Sequence, residues 1–281
     1  LLEIVSEPEM HSSSEAKAYV RELWLLMRYL KVSDADLYHG NMRFDVNVSV
    51  SKDPNQLGTR SETKNLNSFK SVEKAVDYEA KRQIELLEKG EKIVQETRAW
   101  DEAKQKTFSQ RGKEAAHDYR YMPDPDIPPV VLSEAAMHVV ETTMPILPDE
   151  IRNKLQAIQL DPQSIETLLD EMPAGLFIAS LLDDNSATPL VKRVANWMVG
   201  EVLGLIGNGK VSWDIIKLEK NGLLKLAEMA ESNKVSSTGA KSVLLKLITD
   251  GGDPEKIAEE NNLLQVSDEA EIANVVLYRR Q

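Results

Sequence analysis

The stretch that decides the fold is Arg43-Phe44-Asp45-Val46-Asn47-Val48-Ser49-Val50, followed after a loop by Gly58-Thr59-Arg60-Ser61-Glu62-Thr63-Lys64-Asn65-Leu66-Asn67. The first piece alternates polar and apolar residues without a break, and in a strand alternate residues share a face. Phe44, Val46, Val48 and Val50 then face a core, while Arg43, Asp45, Asn47 and Ser49 share the other side. In the second piece Arg60, Glu62 and Lys64 fall on one face. Asp53-Pro54-Asn55 supplies the connecting loop. A sheet face with two acids, three bases and several neutral polar groups has two readings. It is a solvated surface crossed by weak ion pairs, or it is a site. Spacing alone favours the first.

Outward from these strands the pattern is that of a mixed α/β unit. Leu2–Val5 reads as a short strand ending at Glu7-Pro8. Ser12, Ser13 or Ser14 can cap a helix running to about Leu30, with Tyr19, Leu23, Leu26, Met27 and Leu30 as its apolar stripe. On the other side Asn67 is a candidate cap for a long helix lined by Phe69, Val72, Val76, Ala80, Ile84 and Leu87 and ended by Gly90. Strands are expected at Lys92–Trp100, Thr107–Arg111 and Asp118–Met122. Pro123, Pro125, Pro128 and Pro129 then exclude a helix and fix an extended path.

From Ser133 strand signals almost vanish. Helices begin at Leu147-Pro148-Asp149-Glu150, Asp161-Pro162-Gln163, Thr188-Pro189 and Asp253-Pro254-Glu255, where proline sits in the first turn. Asp161–Met172, Phe177–Leu182, Pro189–Ile206, Asn221–Asn233 and Gly239–Thr249 read as helical.

Composition narrows the function classes. The 281 residues carry a net charge of −12 and no cysteine, which excludes disulfide frameworks and thiolate chemistry. No apolar run approaches the roughly 18 residues that cross a bilayer, and no signal peptide is visible. The charge is uneven. Residues 43–120 hold 16 Lys and Arg against 14 Asp and Glu, whereas residues 134–281 hold 14 against 23. Contact with phosphate depends on local charge, so the first half remains able to make it.

The residues of the alternating face suit phosphoryl transfer, in which a protein mainly positions groups and stabilises charge. Glu3, Asp45 and Glu62 are hard oxygen donors of the kind Mg²⁺ prefers. Arg43, Arg60 and Lys64 can neutralise phosphate oxygens. Asn47, Asn65 and Asn67 add neutral donors and acceptors. No phosphate-binding glycine loop is present, none of the four histidines has a zinc-ligand spacing, and no serine sits in a nucleophile motif. Tyr119, Arg120 and Tyr121 read either as an ion-paired edge strand or as a base-stacking surface.

Five motifs in order carry a resemblance: Leu2-Glu3-Ile4-Val5-Ser6-Glu7-Pro8-Glu9, Arg43–Val50, Lys64-Asn65-Leu66-Asn67-Ser68-Phe69, Gln95-Glu96-Thr97-Arg98 and His117-Asp118-Tyr119-Arg120-Tyr121-Met122-Pro123-Asp124-Pro125-Asp126. In these the chain resembles the B subunit of the aspartyl/glutamyl-tRNA amidotransferases along its whole length. The resemblance implies an α+β chain. Residues 1–132 would be the later part of a mixed or antiparallel β cradle domain with packed helices. Residues 133–265 would form an all-α helical domain, and 266–281 the start of a tail domain.

The implied activity is ATP- and Mg²⁺-dependent phosphorylation of the side-chain carboxylate of glutamate on tRNA(Gln) or aspartate on tRNA(Asn). Ammonia from an amidase A subunit then displaces phosphate, and a small C subunit completes a heterotrimer. The setting would be cytoplasmic in a bacterium, or organellar in a eukaryote. By the same resemblance Glu3 and Glu62 are expected around the metal, Asp45, Lys64 and Arg43 at the reacting groups, and Asn47, Arg60 and Asn65 at the nucleotide or acceptor end. The chain departs from the family at Tyr38-His39-Gly40-Asn41, where acids and Gly-Ser are usual, at Phe44, where cysteine is common, and at Met122, where phenylalanine is common. It starts without Met and reads as a piece of something longer. A family strand with Glu and His metal ligands is expected upstream of Leu1. The alternative from a different class is a non-catalytic scaffold that binds tRNA and partner subunits.

Overall fold

A computed structural model describes residues 2–53, 55–112, 125–183 and 188–265. The expected strand Asp118–Met122, the Tyr119-Arg120-Tyr121 motif and the start of the tail domain lie outside the described residues. The chain divides into two compact units, Leu1–Pro145 and Ile146–Gln281. Between the expected boundary at 132/133 and this division lies α3 (Glu134–Thr143), which has no buried residue.

The first unit is built on a four-stranded mixed sheet in the order β1 (Phe44–Val48), β2 (Ser61–Leu66), β3 (Glu96–Asp101), β4 (Lys106–Gly112). β1 and β2 are antiparallel, β2 and β3 parallel, and β3 and β4 antiparallel. The parallel pair needs a crossover, and α2 (Phe69–Glu88) provides it. Alternation in β1 is as its sequence demands: Phe44 and Val48 are buried and Val46 partly so, while Asp45 and Asn47 are exposed. In β2 Ser61, Thr63 and Leu66 point inward, which requires one extra residue between Thr63 and Leu66. The register slips there, with Phe44 opposite Leu66 but Val46 opposite Thr63. Asn65 takes up the slack at φ +62°, a left-handed conformation that Asn tolerates better than most residues.

Against the inner face pack α1 (Ser13–Tyr29) and α2, around Ala16, Val20, Phe44, Leu66, Val72 and Ala75. Three expectations are corrected. Residues 2–5 form no strand and are exposed. The buried stripe of α1 is Ala16, Val20, Leu25 and Tyr29, offset from the stripe read off its largest apolar residues. The cap of α2 is Ser68, whose Oγ accepts the Ser71 N–H at 3.0 Å, one residue beyond Asn67.

The face of α2 also differs from its hydrophobic reading. Ser71, Val72, Ala75, Glu79 and Gln83 are buried, while Ile84 and Leu87 are exposed. The second half of this helix meets the sheet with polar residues.

The second unit is helical: α4 (Pro148–Ala157), α5 (Pro162–Asp170), α6 (Met172–Asp183), α7 (Thr188–Trp197), α8 (Leu203–Gly207), α9 (Lys220–Glu231), α10 (Ser237–Asp250) and α11 (Pro254–Glu260). The proline starts fall where the sequence places them. A π-helical turn, Met198–Val202, joins α7 to α8 inside what reads as one continuous helix. Leu155, Leu168, Ile178, Val191, Leu226 and Leu247 are among its buried side chains. The architecture is therefore α+β, a mixed-sheet unit and a helical unit.

Candidate functional site

The outer face of β1 and β2 gathers most of the polar residues picked out by alternation. Lys64 lies between two acids, with Nζ 3.3 Å from Asp45 Oδ2 and 3.5 Å from Glu62 Oε1. Asp45 Oδ1 accepts the backbone N–H of Asn65 at 2.8 Å. Asp45 thus fastens the bulge from the neighbouring strand. Arg43 reaches the same corner, its guanidinium 3.5 Å from Asn65 Oδ1. Asn47 is exposed and stands directly across from Glu62. Arg60 is exposed one residue before β2.

Glu62 is the least exposed of the three charged partners, at 14% of its side chain. Its Oε2 accepts from Thr97 Oγ1 at 3.1 Å, and Thr97 is its cross-strand partner on β3. The alternating pattern does not pick out Thr97. Its signal is its place in Gln95-Glu96-Thr97-Arg98. Glu3 is not brought into this cluster by any described contact. It lies in an exposed segment without regular structure.

Electrostatics define what Lys64 can do. Partial burial works against its charge. The Glu62 carboxylate and the hydrogen bond and charge of Asp45 outweigh that, holding the ammonium above its ordinary pKa. Lys64 is therefore a fixed cation suited to stabilising charge, and unsuited to acting as a base or nucleophile near neutral pH.

The donor chemistry fits a hard divalent cation in part. Mg²⁺ typically takes one or two carboxylates and completes its shell with water and phosphate oxygens. Asp45 and Glu62, on adjacent strands and one face, supply two carboxylates. Among the described residues no group of three or more His, Cys, Asp or Glu is assembled to hold a metal.

These features define a class: a mixed sheet presenting a Lys-centred carboxylate cluster on one face, built into a chain whose other unit is helical. The family follows from comparison. The family described as the GatB/GatE catalytic domain matches residues 1–138, and the GatB domain matches residues 181–278. The B subunit of the aspartyl/glutamyl-tRNA(Asn/Gln) amidotransferase of Crocosphaera subtropica is 39% identical over 278 residues, covering 98% of this chain and 56% of that protein. Its namesake from Caldicellulosiruptor saccharolyticus is 40% identical over 287 residues, covering 99% and 57%. The chloroplastic/mitochondrial B subunit of the glutamyl-tRNA(Gln) amidotransferase of Oryza sativa subsp. japonica is 40% identical over 279 residues, covering 98% and 51%. The chain belongs to the B-subunit family of the tRNA amidotransferases, and it spans about half the length of these relatives. No helix among the described residues is long and apolar enough to cross a membrane.

Proposed function

We propose that this chain is the part of an amidotransferase B subunit that supplies one wall of its phosphoryl-transfer site, followed by its helical domain. The reaction is ATP-dependent amidation of glutamate on tRNA(Gln) or aspartate on tRNA(Asn), within an assembly that includes an amidase A subunit and a small C subunit. The observation that supports it most directly is Lys64 held between Asp45 and Glu62 on one sheet face.

A side-chain carboxylate is a poor acyl donor because its leaving group would be oxide. Phosphorylation supplies a leaving group, and ammonia then displaces phosphate with formation of the amide C–N bond. Bound with ATP, Mg²⁺ would neutralise phosphate oxygens and draw charge from the transferred phosphoryl group. Asp45 and Glu62 are the residues here that would help hold it. Lys64 contributes a fixed positive charge at the same face. Arg43 stands beside Asn65 at the bulge, where its guanidinium can meet a phosphate or the acceptor end. Asn47, Arg60 and Asn65 orient the nucleotide or the acceptor end.

The test uses the full-length parent with its A and C partners. ATP-dependent conversion of Glu-tRNA(Gln) to Gln-tRNA(Gln) is expected, and Glu62→Gln should reduce it at least tenfold. Full activity in Glu62→Gln would remove the acid from the metal site. A scaffold reading draws on the lack of a three-ligand metal cluster among the described residues. A calorimetric titration of the parent with Mg-ATP separates the two, since a scaffold gives no heat of binding.

A further inference from the structure

Behind the candidate site lies a buried acid that the reaction does not use. Glu79, on α2, is fully buried, as are Ser61 and Gln83. A buried carboxylate persists as an anion only when its oxygens are satisfied by donors or cations, and here the donors come from several elements. Ser61 Oγ donates to Glu79 at 2.6 Å from β2. Arg98 Nε lies 2.9 Å away on β3. Thr107 Oγ1 donates from β4. Arg82, one turn along α2, donates at 2.8 Å. Gln83 extends the set to the remaining strand, its Nε2 donating to the Val48 carbonyl of β1 and to Ser61 Oγ, both at 2.9 Å. One turn of α2 thus grips all four strands through side chains.

The grip falls directly behind the site. Val48 pairs with Ser61, and one residue away Asn47 pairs with Glu62, which pairs with Thr97. Ser61 and Arg98 face α2, while their chain neighbours Glu62 and Thr97 bond to each other. Cross-strand neighbours of this kind keep their geometry only if the strands keep their register.

We propose that Glu79 and Gln83 form a four-strand clasp that fixes the row Asn47, Glu62 and Thr97, making Glu79 a positioning residue of the site. The clasp is a property of this fold. Its consequence for catalysis rests on the amidotransferase reading above.

The test is Glu79→Gln in the full-length protein, read in two ways. Backbone amide resonances of Asn47, Glu62 and Thr97 are expected to shift while those of the helical unit stay in place. In the assembled enzyme kcat for amidation should fall at least tenfold with KM for ATP within twofold, and the amide shifts distinguish this from a general loss of folded protein. Should Glu79→Gln fail to fold, Gln83→Met removes only the Gln83 bonds, to the Val48 carbonyl on β1 and to Ser61 Oγ on β2, and leaves the Glu79 bonds to β3 and β4. It is expected to move the amides of Asn47 and Glu62 and leave Thr97 unmoved. Unmoved amides along the row in a folded variant overturn the clasp, as does unchanged kcat in an enzyme whose wild type amidates. A wild-type assembly that does not amidate at all defeats the functional reading instead, and the amide shifts then decide the clasp alone.

Discussion

On one face of the sheet Glu79 is buried with Arg98, Arg82, Ser61 and Thr107 around it. On the other, Asp45 and Glu62 share Lys64 at 3.3 and 3.5 Å in partial contact with water. Both clusters are acids held by bases of the same unit, yet the physics assigns them different work. Charges taken out of water must be fully paired, and removing one partner strands the rest. Charges left near water gain little from pairing, so their arrangement can be spent on a ligand. The inner cluster holds the sheet together, and the outer one is available for chemistry.

The contrast is most exposed to a single substitution on the inner face. Glu79→Leu takes away the buried acid that Arg98 and Arg82 share; of their described acidic neighbours Glu96 stays, and the loss should cost about 3–5 kcal/mol. Because the chain forms two compact units, the measurement is a urea transition followed through amide signals of β2 and β3, not a whole-chain signal. A loss below about 1 kcal/mol would mean that the inner cluster behaves as a surface one.

Acidity probes the same contrast. Burial disfavours the Glu79 charge, but hydrogen bonds from Arg82, Ser61 and Thr107 and the Arg82 charge outweigh it and hold its pKa below the ordinary value. A depressed folded pKa contributes stability that is complete above the unfolded value, near about 4.3, and is lost as pH falls through the folded one. Lys64 has the opposite sign. Its raised pKa contributes below the unfolded value, near about 10.4, and is lost as pH rises through the folded one. Denaturation of the first unit should therefore show an acid limb that Glu79→Gln flattens. The alkaline limb assigned to Lys64 should be small and weakened by salt, since that side chain is 41% exposed.

Smaller again is the anchoring of α2 itself. Ser68→Ala removes the cap bonded to the Ser71 N–H and should cost about 1 kcal/mol, read from the same urea transition. A cost several times larger would show that the clasp depends on the first turn of the helix as well as on its middle.

The outer face is legible in the sequence because alternation is a backbone property. Asp45 and Asn47 on β1, and Glu62 and Lys64 on β2, share a side as their spacing requires. The bulge is not legible, since it exists only once two strands are paired. An asparagine followed by an apolar residue is its one sign in Lys64-Asn65-Leu66. The clasp escapes notice for a different reason. Helical periodicity is read through apolar residues, and the stripe so obtained includes Ile84 and Leu87, which are exposed. Glu79 and Gln83 stand at i and i+4 on the true inner face, but buried polar residues look like surface until their partners on other strands are known. In the helical unit proline and aspartate signals locate the starts, because capping is local. The π-helical turn at Met198–Val202 breaks no visible pattern.

The sharpest version of the contrast makes the same chemical change on both faces. Asp45→Asn keeps an oxygen that can accept the Asn65 N–H, a bond of 2.8 Å that fastens the bulge, and removes only the charge opposite Lys64. The pair it weakens is 3.3 Å long with side chains 41% and 45% exposed, so the stability change should stay within about 1 kcal/mol. Glu79→Gln, the matching amide on the inner face, should cost several times that. Under the proposed function Asp45→Asn should nevertheless lower amidation by the assembled enzyme at least tenfold, because the carboxylate and the Lys64 charge it orients belong to the face proposed to meet phosphate. Asp45→Ala removes the acceptor as well and should free the bulge, moving the amides of Lys64 and Asn65. If Asp45→Asn retains full activity while Asp45→Ala loses it, Asp45 serves the site by shaping the turn at Asn65, and its negative charge is not required.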